Sequence, residues 1–185
     1  MAPHLAGRHA GTDADRAVQR LRRRSEGLSM PTLHLQIAPL QNPERYQALA
    51  AALTAITADT LGKRPEVTVV VIDDLPLARW AVGGRTVQGV TALLEISVTA
   101  GTNTEAQKAR FIGAAFNELR RQLAPDGALE EASYVIVREL PASDWGYGGQ
   151  TQAARRVNPV VSATGGWGAG QGESPCDELE VLKPG

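Results

Sequence analysis

A chain of 185 residues is enough for one ordinary domain or a compact pair of half-domains, and 43% hydrophobic content with only 4% aromatics calls for an aliphatic core. A formal net charge of -1 gives no general attraction to nucleic acid or to an anionic membrane surface, and no apolar run approaches the roughly 20 residues needed to cross a bilayer. The single cysteine, Cys176, excludes a disulfide framework and a cysteine zinc site, so a reducing cytoplasm is the expected compartment.

Residues 1–29 carry six arginines, among them Arg22-Arg23-Arg24, against Asp13, Asp15 and Glu26. They lack the apolar stretch of a secretory signal. This segment is expected to be a disordered extension or a mis-assigned start, because Met30-Pro31 offers an alternative beginning. If translation starts at Met30 and that methionine is trimmed, Pro31 becomes an N-terminal secondary amine, able to act as base or nucleophile. Inside a longer chain its nitrogen is a tertiary amide with no basic lone pair.

Leu33, Leu35 and Ile37 alternate with His34 and Gln36, the period-two pattern of a strand with two distinct faces. Asn42 before Pro43 suits a helix N-cap with proline at the first helical position. Tyr46, Leu49, Leu53, Ile56 and Thr60 then share one helix face, and Gly62 is placed to end it. The β-branched run Val67-Thr68-Val69-Val70-Val71-Ile72 predicts a strand buried on both sides. Further on, Thr104-Glu105-Ala106-Gln107 reads as a capping box, with Ile112, Ala115, Phe116, Leu119 and Leu123 on the helix face behind it. Ser133 to Arg138 predicts the closing strand. From Val157 to Gly185 the chain is rich in Gly, Pro and Ser, and a disordered tail is expected.

The middle of the chain is a duplication. Leu75-Pro76 to Thr86 recurs as Leu140-Pro141 to Thr151, agreeing at leucine, proline, tryptophan (Trp80 and Trp145), both glycines and threonine. Leu33 to Ile37 likewise matches Leu94 to Val98. The expected organisation is 1–29 extension, 30–156 domain with copies at 30–90 and 91–156, and 157–185 tail. Two β-α-β units predict an α+β fold: a four-stranded mixed sheet with two helices on one face and right-handed crossovers. The other face has no cover within the chain, so association through it is expected.

In order and spacing these features resemble the tautomerase superfamily, and within it the oxalocrotonate tautomerase-like group in its fused two-copy form. The shared features are Met-Pro opening a short strand, a helix, a valine-rich strand, then an aromatic residue followed by x-x-Gly-Gly. The resemblance covers about Pro31 to Arg156. It implies that Pro31 is the catalytic amine and that the chain is a homotrimer. Because Ala92 stands at the matching place of the second copy, it also implies one amine site per chain. A free α-amine has a reference pKa of roughly 7.7 to 8, and apolar burial lowers it toward neutrality at pH 7.

The resemblance further implies pocket roles for Trp80 and Trp145. Both can equally pack between subunits. The family arginine that binds a substrate carboxylate is replaced by Gln41 and Thr102. The one that polarises the carbonyl is replaced by Val69 and Tyr134. Tyr134 is then a candidate hydrogen-bond donor to a developing enolate, with Arg138 two residues on as a candidate cation. Each is also an ordinary strand or surface residue. His4, His9 and His34 have no metal-ligand spacing, and no metal or other cofactor is expected.

The functional expectation is a tautomerase or isomerase acting on a small enol or keto acid. Two alternatives stay open: a hydratase or decarboxylase of a small unsaturated or β-keto acid, and a non-catalytic trimeric binding protein. The expected partners are a small-molecule substrate and further copies of the chain, with no nucleic acid and no membrane.

Overall fold

The computed structural model describes residues 30–157; the expected extension, 1–29, and the expected tail beyond Val157 lie outside the described residues. The first copy supplies β1 (Thr32–Ala38), α1 (Pro43–Leu61), β2 (Val69–Asp74) and a hairpin of β3 (Ala81–Val82) and β4 (Arg85–Thr86). The second supplies β5 (Thr91–Thr99), α2 (Glu105–Leu123), β6 (Tyr134–Leu140), a hairpin of β7 (Gly146–Tyr147) and β8 (Gln150–Thr151), and the short α3 (Gln152–Val157).

The four long strands form one mixed sheet in the order β2-β1-β5-β6. Within each copy the strands are parallel, and the copies meet antiparallel at β1 and β5. The duplication is thereby folded about an approximate two-fold between β1 and β5. Equivalent residues of the two copies lie at opposite ends of the sheet.

Alternation sets the faces. Leu33, Leu35 and Ile37 of β1 and Leu94, Ile96 and Val98 of β5 are fully buried under the helices. Each such side chain contributes about 1.5–3 kcal/mol of burial free energy. The α1 helix begins where Asn42 Oδ1 accepts the Arg45 N–H at 2.8 Å, and ends at Gly62 in the left-handed conformation, φ 65°. Its buried residues are Leu49, Leu53, Thr57 and Leu61. The expected Thr60 is only half-buried, because the buried residues recur every four positions; the hydroxyls of both Thr57 and Thr60 turn back to helix carbonyls.

The capping box of α2 is present in full, with Thr104 and Gln107 exchanging bonds at 2.8 and 3.2 Å. Phe111, Ala115, Leu119 and Leu123 are buried, whereas Ile112 is 40% exposed. Phe111 and Ile112 are neighbours some 100° apart on a helix, so only one can join that stripe. Phe111, four residues before Ala115, does.

The strand expected over 67–72 begins two residues later, because Pro65–Val67 forms a 3-10 turn. It is an edge strand, not one buried on both sides. Val70 and Ile72 pack on the core, while Val69 and Val71 are 40% and 39% exposed on the face away from the helices. That open face carries His34 and Gln36 of β1, Leu93 and Glu95 of β5, and Tyr134, Ile136 and Arg138 of β6.

Candidate active site

Pro31 is buried at the head of β1, where its carbonyl accepts the Val69 N–H at 3.0 Å. The same end of the sheet collects the last residues of β5 and β6, since Thr32 pairs Ser97 and Ser97 pairs Arg138. The turn after β5 holds Thr102, and the C-terminal end of α1 brings Lys63 against it. Lys63 is 3% exposed, and its Nζ donates to Thr102 Oγ1 at 2.9 Å. That hydroxyl in turn donates to the Thr99 carbonyl at 2.7 Å. A buried lysine is uncommon, and this one also acts on Glu139, in the direction that favours its carboxylate.

Glu139, near the end of β6, takes Lys108 Nζ at 2.8 Å and the Gly101 N–H at 3.1 Å. The Lys108 bond, then the Gly101 amide and the charges of Lys108 and Lys63, hold its carboxyl below the usual range. The second hairpin leaves from this end too, directly after β6, whose Leu140 carbonyl accepts the Ala100 N–H at 2.9 Å. Trp145 opens that hairpin.

The opposite end presents Ala92 where Pro31 stands. Ala92 is buried, and its N–H donates to Ser133 Oγ at 3.2 Å. Here lie three of the expected pocket residues. Trp80 and Tyr134, with Gln36, Arg79 and Leu93, line a groove of about 470 Å³ on the open face. Tyr134 is 59% exposed. Gln41 is turned into its own loop: its N–H donates to Asp74 at 3.2 Å and its side-chain amide to the Pro39 carbonyl at 2.9 Å. The Tyr46 hydroxyl reaches both Asp74 and the Gln41 carbonyl. The bond from Tyr46, followed by the Gln41 amide, holds the Asp74 carboxyl below the ordinary range. The same bond to Asp74 pushes the Tyr46 phenol up.

Arg138 lies on the open face in an ion pair with Glu95. Within one chain, then, Pro31 shares its end with Arg138, the Trp145 hairpin and Lys63. Trp80, Tyr134 and Gln41 sit about five strand residues away, or roughly 17 Å. Sequence reasoning missed Lys63. A lysine just past a helix-ending glycine looks like solvated surface. Its contact with Thr102 of the other copy, 39 residues on, is visible only in the fold. Among the described residues no group of three or more His, Cys, Asp or Glu could hold a metal ion.

A fused pair of β-α-β units, with a buried proline opening one copy and none in the other, defines the class of fold. A family profile described as "Tautomerase enzyme" matches residues 31–88. The chain is 43% identical over 44 residues to "Probable tautomerase K2" of Dickeya dadantii (strain 3937), a match covering 24% of this chain and 66%, just under two thirds, of that relative. It is similar to a solved fused 4-OT wild-type asymmetric trimer at 28% identity and TM-score 0.60, covering 66% of this chain and 97% of that one. A native fused 4-OT matches at 29% identity and TM-score 0.57 with the same coverage. A macrophage migration inhibitory factor-like protein from Entamoeba histolytica, at 16% identity and TM-score 0.55 over 66% of this chain and 98% of that one, shares the fold. The profile match, the curated relative and the fused 4-OT structures together support the tautomerase superfamily, and within it the oxalocrotonate tautomerase-like group.

Proposed function

We propose that this protein is a tautomerase that uses Pro31, freed by removal of everything before it, as the general base on a small enol or keto acid. We infer further that it works as a homotrimer with one amine site per chain. The observation that carries the reading is the pairing of a buried Pro31 with a buried lysine at one end of a duplicated sheet, against Ala92 at the other. A neutral secondary amine can take a proton alpha to a carbonyl and return it elsewhere. A fixed cation nearby disfavours the ammonium form of that amine and attracts the negative charge that develops on substrate. Lys63 supplies that cation where Thr102 replaces the family's arginine. The homotrimer is supported by the trimeric state of the fused 4-OT structures that the chain resembles.

The test is intact-mass measurement of the natural protein together with ketonisation of phenylenolpyruvate. A mass beginning at Pro31, with activity lost in Pro31→Ala and in protein retaining the preceding residues, is the expected result. Equal activity with the extension uncleaved excludes amine catalysis. Tight binding without turnover in the trimmed protein supports the binding-protein reading instead.

A further inference from the structure

The two hairpins are copies of one sequence, yet one of their faces differs in kind. In the first, Trp80 faces Val87, whose N–H donates to the Trp80 carbonyl at 3.0 Å; Val82 and Val90 stand at the positions that match Tyr147 and Arg155. In the second, Trp145 faces Gln152 through the equivalent bond, also 3.0 Å. Arg155, one helical turn beyond Gln152, lies 3.7 Å over the Tyr147 ring and donates from Nη2 to the Tyr147 carbonyl at 2.9 Å. Valines have thus become a glutamine and an arginine, and a third valine a tyrosine.

Three polar groups on this face are buried with no hydrogen-bond partner: Trp145 Nε1, Gln152 Nε2 and Arg155 Nε. Gln152 is only 2% exposed. All three are donors, and one belongs to a cation. A buried donor without an acceptor is costly, and the first hairpin shows that the turn closes without any of them. Residues directly opposite on a hairpin share a face, and residues three apart on a helix share a side, so Trp145, Gln152 and Arg155 lie on one side of this hairpin. They are matched by an acceptor-rich anion, and planar guanidinium and amide groups suit a carboxylate. Trp145 and Tyr147 also line an adjoining hollow of about 290 Å³, whose rim carries Asp144, Gln150 and Thr151 beside the two rings.

We propose that the Trp145–Gln152–Arg155 face is a carboxylate-binding subsite, taking a small acid whose unsaturated tail lies against Trp145 and Tyr147. This rests on the tautomerase reading only in taking that acid to be the substrate class. The subsite replaces carboxylate recognition lost at Gln41 and Thr102, from residues that only the second copy possesses.

The test uses the full chain, and calorimetry with cinnamate and with cinnamyl alcohol, which differ in the carboxylate. Cinnamate is expected to bind at least tenfold more tightly than the alcohol. The double variant Gln152→Val, Arg155→Val, which reproduces the first hairpin, should erase that preference without changing the affinity for the alcohol. Arg155→Lys, which keeps the charge, should retain part of it. No preference in the natural chain, or a preference unchanged in the double variant, overturns the proposal. So does a double variant that changes the sedimentation coefficient, since the donors then serve a subunit contact. Binding is read in the uncleaved chain, where the Pro31 nitrogen is an amide, so failure of amine catalysis and failure of this subsite read out separately.

Discussion

Pro31 and Ala92 occupy equivalent places in two copies of one fold, and the state of the backbone nitrogen separates their chemistry. Pro31 can present a basic amine once the chain is cut before it, whereas Ala92 is locked inside β5 with its N–H on Ser133. Substituting proline at Ala92 creates no second site, because its nitrogen remains an amide. It removes a buried hydrogen bond in a central strand, at a cost of about 1–3 kcal/mol. Lys63 is the sharper residue to test. In protein trimmed to Pro31, Lys63→Met should lower kcat/KM for phenylenolpyruvate by about two to three powers of ten, as for loss of a charged transition-state contact. Helix content by circular dichroism should be unchanged, which separates a loss at the site from a loss of the fold. Undiminished kcat/KM removes Lys63 from the site. Pro31 drew attention in the sequence because Met-Pro stands at the head of a readable strand, where the structure buries it. Lys63 drew none, because only the fold buries it against Thr102.

At the scale of elements, each copy ties the end of its outer strand to its helix or the turn before it through a carboxylate. Asp74 holds Tyr46 and the Gln41 amide, and Glu139 holds Lys108 and the Gly101 amide. Both carboxyls are held low in the folded chain, as is Glu118 beside Arg121. A group depressed in this way contributes stability that is full above its unfolded pKa, about 4, and is lost as pH falls through the folded value. The melting temperature should therefore be level down to about pH 5 and fall below it. Glu139→Gln should shallow that acid limb and leave the neutral plateau within about 1 kcal/mol. An acid limb as steep in that variant shows that Glu139 takes no part. The helix caps were legible here because each has a local signature, Asn42-Pro43 and Gly62 for the first helix and Thr104 with Gln107 for the second. The choice between Phe111 and Ile112 had none, since adjacent apolar residues both fit a loose helical period.

The misjudged strand is the most instructive feature of the whole molecule. Val69 and Val71 belong to a run that reads as buried on both faces, and in one chain they are about 40% exposed. Leu93, Tyr134 and Ile136 lie on the same open face. Apolar residues repeated on one face of a sheet are what an interface between copies requires. In the proposed homotrimer this is the face that would meet neighbouring copies. Full-length protein at micromolar concentration should sediment as three 19.6 kDa chains. Val71→Glu places a charge on that face and should shift the protein toward monomer, with helix content by circular dichroism unchanged, because Val71 is exposed on the side of the sheet away from the helices. In the trimmed protein it should also lower ketonisation, if neighbouring copies help to close the Pro31 end. A natural chain that stays monomeric, or a Val71→Glu protein that remains trimeric, sinks the assignment of this face. Burial of the valine run would then need another cover.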